Sequence, residues 1–160
     1  MDKKKGAQKA AVLVDLAKTT NNLKDKSMYL KSVMFKEYFF DSNYVGNVLL
    51  DNMNRGVYQK WEFVGTDTPG VYYIRNAQTQ FVLSSNSKGD IFTDILTYAS
   101  TQQWIVYPHT ENSVIRNFSN EFVLDTGKMM SIFSTVFDEK VEPKQGCLWK
   151  ITGGRGDPKK

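Results

Sequence analysis

The chain of 160 residues has one cysteine, Cys147, and one histidine, His109. A lone cysteine excludes an intrachain disulfide and any metal site built on several thiolates. A lone histidine excludes two-histidine zinc motifs and leaves few of the familiar acid–base pairs. No apolar run approaches the length of a membrane span. The run Ala10–Val14 is broken by Asp15 and is too short for a signal-peptide core, so secretion would need a leader outside this sequence. A Ser-centred nucleophile elbow and a phosphate-binding glycine loop are also missing. The acid pairs within reach, such as Glu37 with Asp41, sit on turns without an identifiable partner, so no catalytic residue, metal or cofactor is expected.

What is present points to a folded β protein. Hydrophobic residues make up 41% and aromatic residues 13%, which is too much apolar matter for a disordered chain. Phe (10) and Tyr (8) dominate the aromatics and favour strands. Charge is unevenly spread. Residues 1–27 carry seven lysines against Asp2, Asp15 and Asp25, and residues 153–160 carry a net +2. Removing both ends from the whole-chain +4 leaves residues 28–152 at −2. The pI of about 9.0 therefore belongs to the termini, and the body is a poor electrostatic surface for nucleic acid.

An internal repeat organises the body. Ile74-Arg75-Asn76 and Phe81-Val82-Leu83 recur 41 residues later as Ile115-Arg116-Asn117 and Phe122-Val123-Leu124. Each reads as strand, four-residue turn, strand. A degenerate first copy is Leu30-Lys31-Ser32 with Tyr38-Phe39-Phe40, one turn residue longer. Eight residues after Phe40, Leu83 and Leu124 come the third strands, starting at Val48, Ile91 and Ile132. A tryptophan strand follows: Trp61 and Trp104 thirteen residues on, Trp149 seventeen on, which implies a longer third loop around Asp138–Lys144. Three sets of four short strands make twelve. One set cannot bury its own apolar face, so the three must close around a shared axis.

Gln59-Lys60-Trp61 and Gln102-Gln103-Trp104 are similar to the Q-x-W signature of ricin-B-like β-trefoils. Cys147-Leu148-Trp149 keeps only the tryptophan. The resemblance covers about residues 28–152, with copies near 28–64, 70–108 and 112–152. It implies an all-β trefoil of pseudo-threefold symmetry, a six-stranded barrel capped by three hairpins. Residues 1–27 read as a basic segment with a short helix over 9–19, whose Val12, Leu13, Leu16 and Ala17 can share a face. It is expected to pack on the barrel; a partner-binding role is the alternative. Residues 153–160 read as a flexible tail.

The resemblance also makes carbohydrate the first ligand to consider. Sugar-binding copies of this family place an Asp after the second strand, an aromatic platform after the third, and an amide beside the Q-x-W. The carboxylate accepts from vicinal hydroxyls and the ring packs on the sugar's C–H face. Asp41 and Asp125 hold the first position in copies one and three, and Ser84 replaces it in copy two. The platform position falls near Asp51, Asp94 and Thr135, and Tyr58 and Thr101 precede the glutamines. No copy keeps the full set. The candidate sugar residues are Asp125 with Phe137, then Asp41 with Tyr44; Asp at these places also suits a plain turn.

The tail carries Arg155-Gly156-Asp157, which resembles the integrin-recognition tripeptide. Its Asp could complete a receptor-bound cation's coordination while the Arg pairs with acidic groups. The expected protein is a non-enzymatic, secreted, monomeric binding module for a glycan or cell-surface glycoprotein. The alternative is a secreted effector, either an integrin binder of anti-haemostatic type or a protease inhibitor. One N-glycosylation pattern, Asn117-Phe118-Ser119, falls in the third hairpin's turn.

Overall fold

The computed structural model describes residues 3–54 and 56–153. The Arg155-Gly156-Asp157 tripeptide lies outside them. The described chain has one helix, α1 (Lys3–Thr19), and twelve strands: β1 (Ser27–Ser32), β2 (Tyr38–Ser42), β3 (Val48–Asn52), β4 (Trp61–Gly65), β5 (Val71–Asn76), β6 (Val82–Ser85), β7 (Ile91–Asp94), β8 (Trp104–His109), β9 (Asn112–Asn117), β10 (Val123–Thr126), β11 (Ile132–Thr135) and β12 (Trp149–Gly153).

Six strands close a ring in which every pair is antiparallel. β1 pairs with β4, β4 with β5, β5 with β8, β8 with β9, β9 with β12, and β12 with β1. Closure removes the ring's sheet edges. The remaining strands form three hairpins, β2–β3, β6–β7 and β10–β11. Each joins the barrel at an equivalent register: Lys31 with Phe39, Arg75 with Val82, Arg116 with Val123. This is the expected β-trefoil.

Leu30, Ile74 and Ile115 share the core with Phe40, Leu83 and Leu124 and with Trp61, Trp104 and Trp149, all fully buried. Each indole N–H donates to the carbonyl of its own copy's second strand. Trp61 bonds Phe40 at 3.0 Å, Trp104 bonds Leu83 at 2.9 Å, and Trp149 bonds Leu124 at 3.2 Å. A buried indole needs such an acceptor. An equivalent residue in the turn before each second strand is left-handed: Glu37 (φ 74), Gln80 (φ 67) and Glu121 (φ 67).

Two local expectations are corrected. The helix begins at Lys3, not at residue 9, because the lysines, alanine and glutamine before the apolar face are themselves good helix formers. Its buried stripe is Leu13, Leu16, Ala17 and Thr20; Val12, about 100° round the helix from Leu13, is 48% exposed. Leu13 packs on Val71 and Ile105, and Thr20 Oγ1 lies 2.7 Å from the Tyr72 hydroxyl. The helix crosses close over Gly70 (φ +81), where a Cβ would come within 2.5 Å of the Leu13 carbonyl oxygen.

Asn117, the acceptor of the glycosylation pattern, is completely buried rather than exposed on the turn. Its Nδ2 donates to the Thr101 carbonyl at 2.9 Å, and its Oδ1 accepts from the Ser119 and Asn120 N–H groups. Asn76 makes the same set in the second copy, with Tyr58, Gln78 and Thr79. A glycan on Nδ2 would break the Thr101 bond and force a sugar into the barrel.

Trp104→Ala should cost roughly 3–5 kcal/mol in urea unfolding. Trp104→Phe should cost less, yet still about 1–3 kcal/mol, because the Leu83 carbonyl loses its donor. Protein folded and secreted by a glycosylating host should show no mass change at Asn117 on glycosidase treatment.

Candidate functional site

The Q-x-W glutamines position the loops that follow the third strands. Gln59 Nε2 donates to the Asn52 carbonyl at 2.8 Å, and its Oε1 accepts from the Asn54 N–H at 3.0 Å. Gln102 repeats this with the Ile95 carbonyl and the Thr97 N–H, both at 2.8 Å. Both side chains are buried. Cys147 stands at the equivalent place in the third copy and offers no amide.

In the first copy the loop so held leaves an open hollow of about 520 Å³. Asp41, Tyr44, Leu49, Asp51, Asn54 and Tyr58 line it. Asp41 is at the end of β2 and is 6% exposed. Its Oδ1 accepts from the Ser42 N–H at 2.8 Å. Burial raises the Asp41 pKa above the ordinary carboxylate value; the Ser42 bond opposes the rise and the charge of Asp51 adds to it. Asp51 takes the place where the family resemblance implies an aromatic platform.

Aromatic surface comes instead from Tyr44 and Tyr58, whose rings meet edge to face at 5.9 Å. Tyr44 rides on the β2–β3 turn, where Asn43 Oδ1 accepts from the Val45 and Asn47 N–H groups and Gly46 adopts φ +98. The Tyr44 hydroxyl accepts from Gln78 Nε2 at 3.0 Å, and the Tyr58 carbonyl accepts from Asn76 Nδ2 at 2.8 Å. Both aromatic walls are therefore anchored on the β5–β6 turn, so the site is built at the seam between the first and second copies.

The third copy is arranged differently. The Asp125 side chain is 2% exposed, and Lys144 Nζ lies 3.1 Å from its Oδ2. The two form an ion pair, and among the described residues no other polar group satisfies Oδ2. Cys147 packs beside this pair, and its pKa is pushed up to about 12 by burial and then by the Asp125 charge, which leaves it an inert thiol. Phe137 lies elsewhere. It stacks on Tyr107 at 6.2 Å and under the Arg116 guanidinium at 5.2 Å. It lines a second hollow of about 410 Å³, with His109 and Glu142 (2.9 Å apart) on its wall, and Asp125 is not in that lining. The structure thus brings Asp41 and Tyr44 together in one hollow and does not do so for Asp125 and Phe137.

In the second copy Ser84 is buried at the carboxylate position, and Tyr98 is 70% exposed against Tyr73. Among the described residues no cluster of three or more His, Cys, Asp or Glu side chains could hold a metal ion. The residues that sequence reasoning missed are Tyr58 as a wall and Gln78 as its neighbour's anchor. Tyr58 stood next to the Q-x-W and was legible as a departure from the amide. Gln78 is 34 residues from Tyr44 and left no local signal. Gln78→Ala should leave the melting temperature nearly unchanged while freeing the Tyr44 ring, seen as faster aromatic ¹³C relaxation at Tyr44.

A family model described as a ricin-type beta-trefoil lectin domain-like matches residues 57–131, the stretch that holds both intact Q-x-W motifs. No curated protein sequence matches the chain. Among solved structures, the designed threefold-symmetric protein ThreeFoil is 15% identical at a TM-score of 0.68, over 79% of this chain and 97% of that one. SeviL bound to asialo-GM1 saccharide is 14% identical at 0.66, over 81% and 98%. The Polyporus squamosus lectin bound to a Neu5Aca2-6Galb1-4GlcNAc epitope is 11% identical at 0.70, over 81% of this chain but 49% of that one. A mosquitocidal holotoxin is 20% identical at 0.72, and the chain spans only 17% of its length. At these identities the neighbours speak for the fold alone, a β-trefoil, and over residues 57–131 the chain is similar to ricin-type lectin-like domains.

Proposed function

We propose that the protein is a non-enzymatic glycan-binding module that uses the first-copy hollow. One observation carries this reading: the carboxylate that the family resemblance assigns to sugar, Asp41, lies in an open hollow walled by two tyrosines. Asp41 supplies acceptors for vicinal hydroxyls, Asn54 and Asp51 supply further polar contacts, and Tyr44 or Tyr58 offers a face to the sugar's C–H groups. Two structural neighbours are described with bound saccharides, which supports the class of ligand. The partner is a glycan or a cell-surface glycoprotein, which has the protein act outside the cell.

Arg155-Gly156-Asp157 supports a second reading, adhesion to integrin-bearing cells. The two are separable. Arg155→Ala with Asp157→Ala should abolish adhesion and leave glycan retention intact if the tail is used.

A glycan array, followed by calorimetry on the retained sugar, tests the first reading. Asp41→Asn should weaken binding on the order of tenfold to a hundredfold, since it removes a charged acceptor worth about 1.5–3 kcal/mol. Tyr44→Ala should also weaken it with little effect on stability. An array that retains no glycan with folded protein would remove the proposal.

Binding should also fall as pH drops. Asp41's pKa is raised by burial, so the carboxylate takes a proton at higher pH than an ordinary aspartate and then loses its charge and part of its acceptor capacity. The fold responds in the opposite sense. A carboxylate with a raised pKa binds its proton more tightly in the folded state, so its contribution to stability is fully present below the unfolded pKa and is lost as pH rises through the folded one. Loss of binding on acidification, with the circular-dichroism spectrum unchanged, is the expected result.

A further inference from the structure

We infer that the trefoil presents one open sugar site out of three, because the third copy's carboxylate is covered by the chain's own Gly146 and paired with Lys144, and the second has no carboxylate. This count rests on the glycan reading above. In the second copy Ser84 stands where Asp41 and Asp125 stand, and a single hydroxyl cannot accept from two vicinal sugar hydroxyls as a carboxylate does. Ser84 is moreover buried, with Oγ 3.5 Å from the Val82 carbonyl oxygen.

The third copy keeps the carboxylate but covers it. Its loop from Ile132 to Trp149 is four residues longer than the equivalent loops, and Cys147 cannot make the two amide bonds that Gln59 and Gln102 use to hold theirs. The turn at Gln145–Cys147 lies against β10, as the turns at Val57–Gln59 and Ser100–Gln102 lie against β2 and β6, and in this copy it meets the Asp125 carboxylate. Gly146 is what allows this: a Cβ there would stand 2.5 Å from Asp125 Oδ1 and 2.5 Å from the Thr126 carbonyl oxygen. Thr126 Oγ1 donates to the Gly146 carbonyl at 3.3 Å and ties the turn down. Lys144 then brings its ammonium to 3.1 Å from Oδ2, where sugar hydroxyls would otherwise donate. The lysine acts as an internal ligand, and a sugar must displace both it and the backbone of Gly146. Contact with the carboxylate raises the Lys144 pKa, as a filled site requires. A single open site gives a protein that binds glycans without cross-linking them.

Two measurements test this. Native mass spectrometry with the tightest array glycan, used as its free saccharide, should show one sugar per chain. Asp41→Asn should weaken that single binding event by the same factor, on the order of tenfold to a hundredfold. Lys144→Gln should leave its affinity unchanged, and a multivalent neoglycoprotein bearing the same sugar should not precipitate. Two or three sugars per chain, or affinity undiminished by Asp41→Asn, would overturn the count while leaving the glycan reading standing. An empty array would sink both. Independently of any sugar, reductive ¹³C-methylation should show the Lys144 signal titrating higher in the parent protein than in Asp125→Asn; a Lys144 titration unchanged by Asp125→Asn would show the third site to be unplugged.

Discussion

Three hydrogen bonds from three buried indoles hold the structure's symmetry. Each joins the last strand of a copy, which belongs to the barrel, to the second strand of the same copy, which belongs to the cap. The hairpins also pair with β1, β5 and β9 and pack into the common core, and the indole bond adds a fixed point between cap and barrel. With it, a carbonyl within β2, β6 or β10 is fixed against the core. The residue immediately after that carbonyl is Asp41, Ser84 or Asp125. The packing requirement and the candidate binding residue are therefore neighbours in sequence, and the first positions the second.

What the three copies do with that position differs for physical reasons that lie in their loops. In copies one and two a glutamine holds the short loop after the third strand through two amide bonds. In the third copy, where Cys147 replaces the glutamine and the loop is longer, Gly146 and Lys144 meet the carboxylate. Gln59 and Gln102 are buried and place the backbone of their loops, and Gln59 also bears on the Asp41 carboxylate. The fold tolerates a full set of alternatives at the same address, open, absent and filled, because the barrel beneath does not depend on any of them.

The seam between copies matters as much as the copies themselves. Asn76 and Asn117 each satisfy their own turn and also reach back to the preceding copy, to Tyr58 and Thr101. That bond explains why an asparagine that reads as a glycosylation acceptor is instead a buried structural element. At the first seam it serves the site as well, because the Tyr58 carbonyl it holds carries one aromatic wall, and Gln78 two residues on carries the other. The helix is fastened to the same barrel through Leu13 and Thr20, on the side formed by β5 and β8.

The sequence by itself determined the repeat, the strands, the tryptophan core and the position of the carboxylates, since these follow from spacing and from alternation of apolar residues, which are local and periodic. It also showed which copies had lost a feature, because a missing Asp, Gln or aromatic is visible as a letter. It could not say which remaining carboxylate faces an open hollow. Asp41 and Asp125 read alike in sequence, and the difference between them was decided by a loop contact, an ammonium nineteen residues away and a glycine that leaves room for both. Those are contacts between distant segments, and only closure of the barrel brings them to the same point in space.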